Sequence, residues 1–190
     1  PGKPDVIYAS AYQRRRAVGQ MIGGGPEGGI YKTTDGGKKW TKLTSGLPTG
    51  DTARAGLAVD PRNPNRVYAL IGAKSPESGF FRSDDAGANW KRLPFPYKGS
   101  MFGVLWLGGD RLLAYGLRGN VFESGDGGNS WLKLDSHGST SLMGGSQLDG
   151  GGVELDPGVG GLRGHGGERA VVAVAGVVDR YADRAELGGD

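Results

Sequence analysis

The sequence predicts an all-β fold made of repeated four-stranded antiparallel units, and three observations support this prediction. A motif of the form Ser/Thr-x-Asp-x-Gly-x-x-Trp occurs at residues 33–40, 83–90 and 124–131. Each copy follows a glycine and a short run of strand-favouring residues, and each precedes a basic and apolar segment that ends in leucine. In a second repeat, residues 1–9 align without a gap with residues 61–69. Such regular spacing indicates repeated β-units.

The elements follow from short runs of branched and aromatic residues bounded by turn-forming residues. In the middle unit we expect strands at 56–59, 66–71, 79–83 and 89–93. In the next unit we expect them at 102–107, 111–116, 120–124 and 131–134, with a tight turn at Gly108-Gly109-Asp110. The first unit lacks its opening strand, because the chain starts at the second one.

Four-stranded antiparallel units that repeat about every 40 to 50 residues are typical of β-propeller blades. The sequence therefore predicts a β-propeller segment of about three four-stranded antiparallel blades and the start of a fourth. The expected boundaries are 1–46, 47–97, 98–138 and, for the start of the fourth blade, 139–150. Because propellers typically have four or more blades, missing blades or oligomerisation would be needed to complete the ring.

The last segment, residues 151–190, is a Gly-rich tail without the repeated motif. Two interpretations stay open: a segment translated out of frame, or a divergent fourth blade. Residues 170–175 favour a strand, whereas Val178, Tyr181, Ala182 and Ala185 have helical spacing.

The residue types of the motif are those expected in a structural turn. An aspartate at this place accepts hydrogen bonds from backbone N–H groups, the hydroxyl does the same, and the glycine supplies a positive φ. We expect each tryptophan to be buried between neighbouring blades, with a partner for its N–H. Catalytic and calcium-binding roles for the aspartates are disfavoured, since three equivalent sites exceed what one active site needs. The predicted structural residues are Thr33, Asp35, Gly37, Trp40, Ser83, Asp85, Gly87, Trp90, Ser124, Asp126, Gly128 and Trp131.

The amino-acid composition limits the kinds of functional site and partner that this chain can have. The 190 residues include no cysteine, which excludes disulfides, thiolate metal sites and cysteine nucleophiles. The net charge of +3 is too small to indicate nucleic acid as a partner. No apolar run is long enough to span a membrane. The two histidines lie far apart, so we expect no metal site, no cofactor and no catalytic residue. The chain carries no signal peptide and no initial Met, and we expect it to be a piece of a longer protein.

An insertion at residues 12–26 is the best candidate for contact with a ligand. It lengthens a loop of the first unit and begins with Tyr12, Arg14, Arg15 and Arg16. Loops of this kind carry binding residues, and the positive charge favours an anionic partner such as an acidic glycan or a lipid headgroup. The alternative is a solvated loop whose arginines pair with nearby acids.

The motif resembles the Asp-box of the BNR-repeat β-propellers. Residues 28–37 and 60–64 resemble the xyloglucanase and sortilin-like branch, and residues 115–122 with 141–145 are similar to the photosystem II assembly-factor-like branch. The resemblance covers about residues 1–150 and implies a propeller, but these families share blades and differ in their sites.

The resemblance implies a non-catalytic, exported propeller, periplasmic or secreted, that binds a protein or glycan as an assembly or recognition scaffold. The alternative is a fragment of a glycoside hydrolase, xyloglucanase-like or sialidase-like, whose catalytic carboxylates lie outside this segment. The segment lacks the Arg-Ile-Pro sequence of sialidases, and no carboxylate follows Tyr8 until Glu27. Glycoside hydrolysis ordinarily needs two facing carboxyl groups. A third interpretation is that the repeats have no native ligand.

Overall fold

The structure, a computed structural model, describes residues 2–17, 20–148, 152–157 and 170–172. Within these residues the strands form five antiparallel sheets, and no α-helix occurs. The strands are β1 (Ile7–Ala11), β2 (Arg14–Ala17), β3 (Gln20–Gly23), β4 (Gly29–Thr33), β5 (Thr41–Leu43), β6 (Thr52–Val59), β7 (Val67–Ala73), β8 (Gly79–Ser83), β9 (Lys91–Leu93), β10 (Met101–Gly108), β11 (Arg111–Gly116), β12 (Val121–Ser124), β13 (Leu132–Leu134), β14 (Leu142–Gln147), β15 (Val153–Pro157) and β16 (Ala170–Val172). The predicted all-β fold class is confirmed.

Two sheets have four strands each, in the order β6-β7-β8-β9 (blade 2) and β10-β11-β12-β13 (blade 3). Each expected strand of these units is present, with ends shifted by a few residues. The expected tight turn joins β10 to β11, because Gly108 pairs with Arg111 and Gly108 and Gly109 both have positive φ. Local turn chemistry therefore determines this hairpin.

Blade 1 is a three-stranded sheet in the order β1-β4-β5. It has no counterpart of β6 or β10 among the described residues, as the sequence predicts. The insertion at 12–26 is not only a loop. It contains the hairpin β2–β3, in which Arg14, Arg15 and Arg16 pair with Gly23, Ile22 and Met21. The interpretation of this segment as a simple loop is wrong, because its polar strand satisfies its backbone by pairing within the insertion.

A fourth sheet, β14-β15-β16, follows blade 3 and takes in residues beyond 150. Val153 and Leu155 are fully buried in a cluster with Leu113 and Val121 of blade 3. Residues 152–157 and 170–172 of the tail therefore belong to a sheet that packs like a blade, although the repeated motif is missing there. The helical spacing expected from Val178 to Ala185 lies outside the described residues, and the out-of-frame hypothesis stays a prediction.

The apolar core lies between the blades. Strand alternation places one set of side chains of each sheet toward the preceding blade and the other set toward the next. Blades 1 and 2 share a cluster that includes Ile30, Val67 and Phe81, and blades 2 and 3 share one that includes Tyr68, Phe80 and Leu112. The three Ser/Thr-x-Asp-x-Gly-x-x-Trp turns lie at one end of the blades, which we call the turn end; we name them Asp-box turns after the family motif that they resemble. The loops that connect the second strand to the third, and one blade to the next, lie at the opposite end, the groove end.

Candidate binding groove

The Asp-box turns have the same hydrogen bonds in all three blades. In blade 2 the Oδ1 atom of Asp85 accepts hydrogen bonds from the Ser83 hydroxyl at 2.8 Å and from the Asn89 backbone N–H at 2.8 Å. The Ser83 hydroxyl oxygen in turn accepts the Gly87 N–H at 2.8 Å. Asp35 and Asp126 accept the corresponding bonds within their own turns. The hydroxyls of Thr33, Ser83 and Ser124 are thereby satisfied although these residues are buried.

These bonds also fix the charge of the carboxylates. The backbone N–H of Asn89 donates to Asp85 and lowers the pKa of that carboxyl to about 2, and the Ser130 side chain lowers that of Asp126 to about 2. The pKa of Asp35 is lowered as well, chiefly by the Lys39 N–H. A general acid at neutral pH needs a raised pKa, so these carboxylates are suited to holding turns and not to donating protons.

The motif glycines lie at positions that disfavour any residue with a side chain. Gly37, Gly87 and Gly128 have φ values of 95°, 86° and 89°. A Cβ atom on Gly128 would also collide with the ring of Phe80 in blade 2. The turn of blade 3 therefore approaches blade 2 closely enough to require glycine.

The tryptophans differ from one another. Trp90 is 6% exposed in the cluster of blades 1 and 2, and its Nε1 donates to the Gly87 carbonyl at 3.1 Å. Trp131 is half-buried against Phe80 and Phe95, and its Nε1 donates to Gly128. Trp40 is 40% exposed. The expected burial of Trp40 between blades is wrong in this structure, because no described residue covers the side of blade 1 to which it belongs.

A cavity of about 840 Å³ lies at the groove end, between blades 2 and 3. It extends from the loop between β7 and β8 to the loop between β9 and β10. It also reaches β6, β10 and β14, which are the first strands of blade 2, blade 3 and the fourth sheet. Tyr12 from the insertion lies at its border. The side chains on which its chemistry depends are Tyr12, Arg54, Arg92, Tyr97, Lys98, Phe102 and Met143. We call this cavity the groove.

The groove is cationic. Arg54, Arg92 and Lys98 line it, and none of the lining residues that the structure describes is an aspartate or a glutamate. The Arg54 guanidinium carbon lies 6.0 Å from the ring centroid of Tyr12 and 5.5 Å from that of Phe102. Aromatic faces hold a guanidinium in place without neutralising it. Arg92 is held differently, since its Nη2 donates to the Ser78 carbonyl at 2.6 Å.

A smaller cavity of about 360 Å³ lies at the same end, between blades 1 and 2. It is lined by Pro26, Lys42, Leu47, Asp51 and Thr52, among others. Lys42 already donates to the Pro26 carbonyl at 2.7 Å. Asp51 and Lys42 together give this cavity little net charge, and Lys42 is already hydrogen-bonded to Pro26. The groove is therefore the stronger candidate site.

The sequence-predicted residues are therefore divided between the two ends. The Asp-box turns lie at the turn end, and Tyr12 lies at the border of the groove. Arg54, Arg92 and Lys98 were not predicted from the sequence. One signal was available for Arg54, which is a lone charge within the small and apolar residues of β6.

No helix in the part of the chain described by the structure is long and apolar enough to cross a membrane. Within the same residues, no three acidic or histidine side chains are grouped as a metal ion would require.

Comparisons with known proteins identify the fold. No protein-family model matches this sequence, and no curated protein is similar enough to count as a match. Among solved structures, the chain is similar to YCF48 bound to a D1 peptide, with a TM-score of 0.56 and 15% identity over 82% of this chain and 47% of that one. It is also similar to a GH74 enzyme from Niastella koreensis, with a TM-score of 0.57 and 19% identity over 72% of this chain and 24% of the enzyme. The chain thus spans less than half the length of either protein. At these identities the likeness concerns the fold alone, and it confirms that the four packed sheets are part of a β-propeller.

Proposed function

We propose that this chain is part of a non-catalytic propeller scaffold that binds an anionic segment of a protein or an acidic glycan in the groove. The observation that carries the proposal is the composition of the groove. Its described lining has three cationic side chains, several aromatic rings and no carboxylate. Cations held against aromatic rings attract anions and stack on flat groups, and both properties suit a binding site.

Arg54 is the residue that we expect to contact the ligand. Its side chain is exposed in the groove, where it contacts two aromatic rings and, at 4.0 Å, the Met143 sulfur. None of these contacts neutralises the guanidinium. Carboxylate, sulfate and phosphate groups can therefore bind to it by charge-assisted hydrogen bonds.

The lack of acids among the described residues of the groove argues against hydrolysis there. A glycoside hydrolase ordinarily places two carboxyl groups about 5 to 9.5 Å apart across the bond that it breaks. The part of the groove that the structure describes contains neither of these carboxyl groups. The YCF48 structure named above contains a bound peptide, which agrees with a protein ligand for a propeller of this type. We also propose an extracytoplasmic location, which cell fractionation would test.

The binding experiment uses two fluorescent probes, a glutamate-rich peptide and an oligogalacturonate, and their uncharged counterparts as references. We expect the acidic probes to bind and to be released by salt, because screening weakens contacts between exposed charges. Arg54→Ala should weaken binding about tenfold or more, as expected for the loss of one charge-assisted contact. Lys39→Ala is the matched control, since it removes one exposed positive charge at the turn end. Equal affinity for acidic and uncharged probes would contradict the proposal, and so would cleavage of xyloglucan oligosaccharides by the chain.

A further inference from the structure

The smaller cavity between blades 1 and 2, which we call the side cavity, adjoins the groove. Ile71 is 4% exposed and lines both cavities. Strand β6 also contributes to both, because Thr52 and Ala55 line the side cavity and the two residues between them line the groove. One of these two residues is Arg54. A single ligand that lies across β6 can therefore reach both cavities.

A β-bulge in β6 produces this division. The pairing of β6 with β7 shifts between Thr52 and Ala55, where β6 has one more residue than its partner. Regular alternation would place Thr52 and Ala55 on opposite faces of the sheet, since they are three residues apart. With the extra residue both line the side cavity, and Arg54 between them lines the groove. The bulge thus places a cation of the groove next to the side cavity.

The floor of the side cavity is aliphatic. Ile30, Leu47 and Ile71 line it, and each is less than a tenth exposed. Pro48 and Ala55 add further apolar surface. An apolar cavity of about 150 Å³ is enough to hold benzene, so a cavity of about 360 Å³ can enclose a branched aliphatic side chain. Such a side chain gains free energy there because its apolar surface leaves water.

The charges of the two cavities differ, and they determine where the acidic part of a ligand binds. Asp51 is exposed and lines the side cavity, and Lys42 beside it already donates to the Pro26 carbonyl. The groove has three cations in its lining, among them Arg54. A carboxylate is therefore attracted to the groove and repelled by Asp51 at the side cavity. The aliphatic and the acidic parts of the ligand must then be neighbours that occupy different cavities.

This combination favours a peptide over a glycan. Most carbons of a sugar ring carry a hydroxyl, and each hydroxyl that is buried needs a hydrogen-bond partner. Among the buried lining residues that the structure describes, the one hydroxyl is that of Thr52, and protein atoms cover it. An extended peptide presents an aliphatic and an acidic side chain from residues that are only about 3.3 Å apart along the strand.

We propose that the side cavity is an anchor pocket for one aliphatic side chain of a peptide whose acidic part binds in the groove. This role of the side cavity rests on the function proposed above for the groove. It adds a specificity, because the ligand then needs a leucine or isoleucine beside its acidic residues.

Methyl NMR of the isoleucines, together with peptide affinities, tests the anchor pocket. The chain has four isoleucines, and Ile30 and Ile71 line the side cavity. Three fluorescent glutamate-rich peptides are compared, with a leucine at the amino end, with a leucine at the carboxyl end, and with serine in its place. One leucine peptide should bind about tenfold or more tightly than the serine peptide. It should shift the Ile30 methyl resonance, which Ile30→Val identifies, whereas the serine peptide should not.

Variants separate the two cavities. Ala55→Leu fills the side cavity from within and should reduce the affinity for the leucine peptide to that for the serine peptide. Ala88→Leu is the matched control, since it makes the same change at an exposed position in the Asp-box turn of blade 2, and there the leucine peptide should keep its advantage. Arg54→Ala should weaken both peptides by a similar factor.

The failure of the anchor pocket differs from a failure of the groove. Equal affinities of the leucine and serine peptides, both weakened by Arg54→Ala, would overturn the anchor pocket and leave the function of the groove standing. A shift of the Ile30 methyl by an oligogalacturonate would also overturn it, because the occupant would then be a glycan. If no acidic peptide binds, the function proposed for the groove is wrong, and N-acetyl-leucine amide at millimolar concentration decides. A shift of the Ile30 methyl would still support the pocket, and no shift would overturn it.

Discussion

The hydroxyl of Tyr8 in blade 1 donates a 2.8 Å hydrogen bond to the carbonyl of Ala86, which lies inside the Asp-box turn of blade 2. The Lys32 Nζ donates to the same carbonyl at 2.7 Å. At the next interface, Arg82 donates to the carbonyl of Gly127 at 3.3 Å. The residue after the Asp-box aspartate is thus bound by the preceding blade, so the turn joins blades as well as strands.

Ala86→Gly should stabilise the chain. Ala86 has a φ of 57°, whereas its equivalents Gly36 and Gly127 are glycines with φ of 70° and 69°. A left-handed conformation costs a residue with a Cβ about 1–2 kcal/mol, and the greater freedom of glycine in the unfolded chain offsets about 0.4–1 kcal/mol. We therefore expect the free energy of unfolding in urea to rise by between about 0 and about 1.6 kcal/mol.

Ala88→Gly is the control for that gain, because Ala88 lies in the same turn and is exposed without a positive φ. It should lower stability slightly. Equal effects of the two substitutions would show that Ala86 is not strained.

Acid should unfold the chain through its Asp-box turns. The pKa of Asp85 and of Asp126 is about 2, below the ordinary value of 3.8, so folding favours their charged forms. The stability that they contribute is present above pH 3.8 and is lost as the pH falls toward 2. Urea midpoints measured from neutral pH downward should decrease over that interval.

Asp85→Asn and Asp126→Asn should lower the midpoint at neutral pH and weaken its dependence on pH in the acid range. Asp51→Asn is a suitable control, because Asp51 is exposed in a loop outside the turns. An acid dependence unchanged in both turn variants would assign the acid sensitivity to other carboxylates.

Gly128→Ala should be strongly destabilising. The position has a φ of 89°, and an added Cβ would collide with the Phe80 ring across the blade interface. Backbone strain and overpacking together should cost at least about 2 kcal/mol. Gly125→Ala is the matched control, since a Cβ there meets nothing within 4 Å. Thermal unfolding of the two variants tests this, and similar melting temperatures would mean that the turn of blade 3 can move away from blade 2.

The Asp-box turns could be predicted from the sequence because their determinants are local. The hydroxyl, the carboxylate and the glycine are separated by two to four residues, and their hydrogen bonds close within the same turn. Strand ends were predictable within a few residues for the same reason, since turn formers bound each strand.

The groove could not be predicted in this way. Arg54, Phe102 and Met143 come from three different blades, and only their packing around a common axis brings them together. The exposure of Trp40 likewise depends on what lies beside blade 1, although its motif is identical in form to the other two. The hairpin β2–β3 was missed because Arg14-Arg15-Arg16 shows no alternation of apolar and polar residues.

The two equivalent tyrosines should respond in opposite ways to loss of the hydroxyl. The Tyr8 hydroxyl has its partner in Ala86, and Tyr8→Phe should cost about 0.5–1.5 kcal/mol, as usual for a lost hydrogen bond. The Tyr68 hydroxyl is fully buried and forms no hydrogen bond of ordinary geometry among the described residues, although the Arg66 guanidinium, which binds Asp84, lies near enough to act on its pKa. Burial raises the pKa of Tyr68, so the group stays neutral and its desolvation is not repaid by charge. Tyr68→Phe keeps the aromatic ring stacked on Phe80 and should be neutral or stabilising.

The free energies of unfolding of the two variants, measured in urea, test this prediction. A loss for Tyr68→Phe as large as that for Tyr8→Phe would mean that a water molecule or a guanidinium satisfies the Tyr68 hydroxyl in solution.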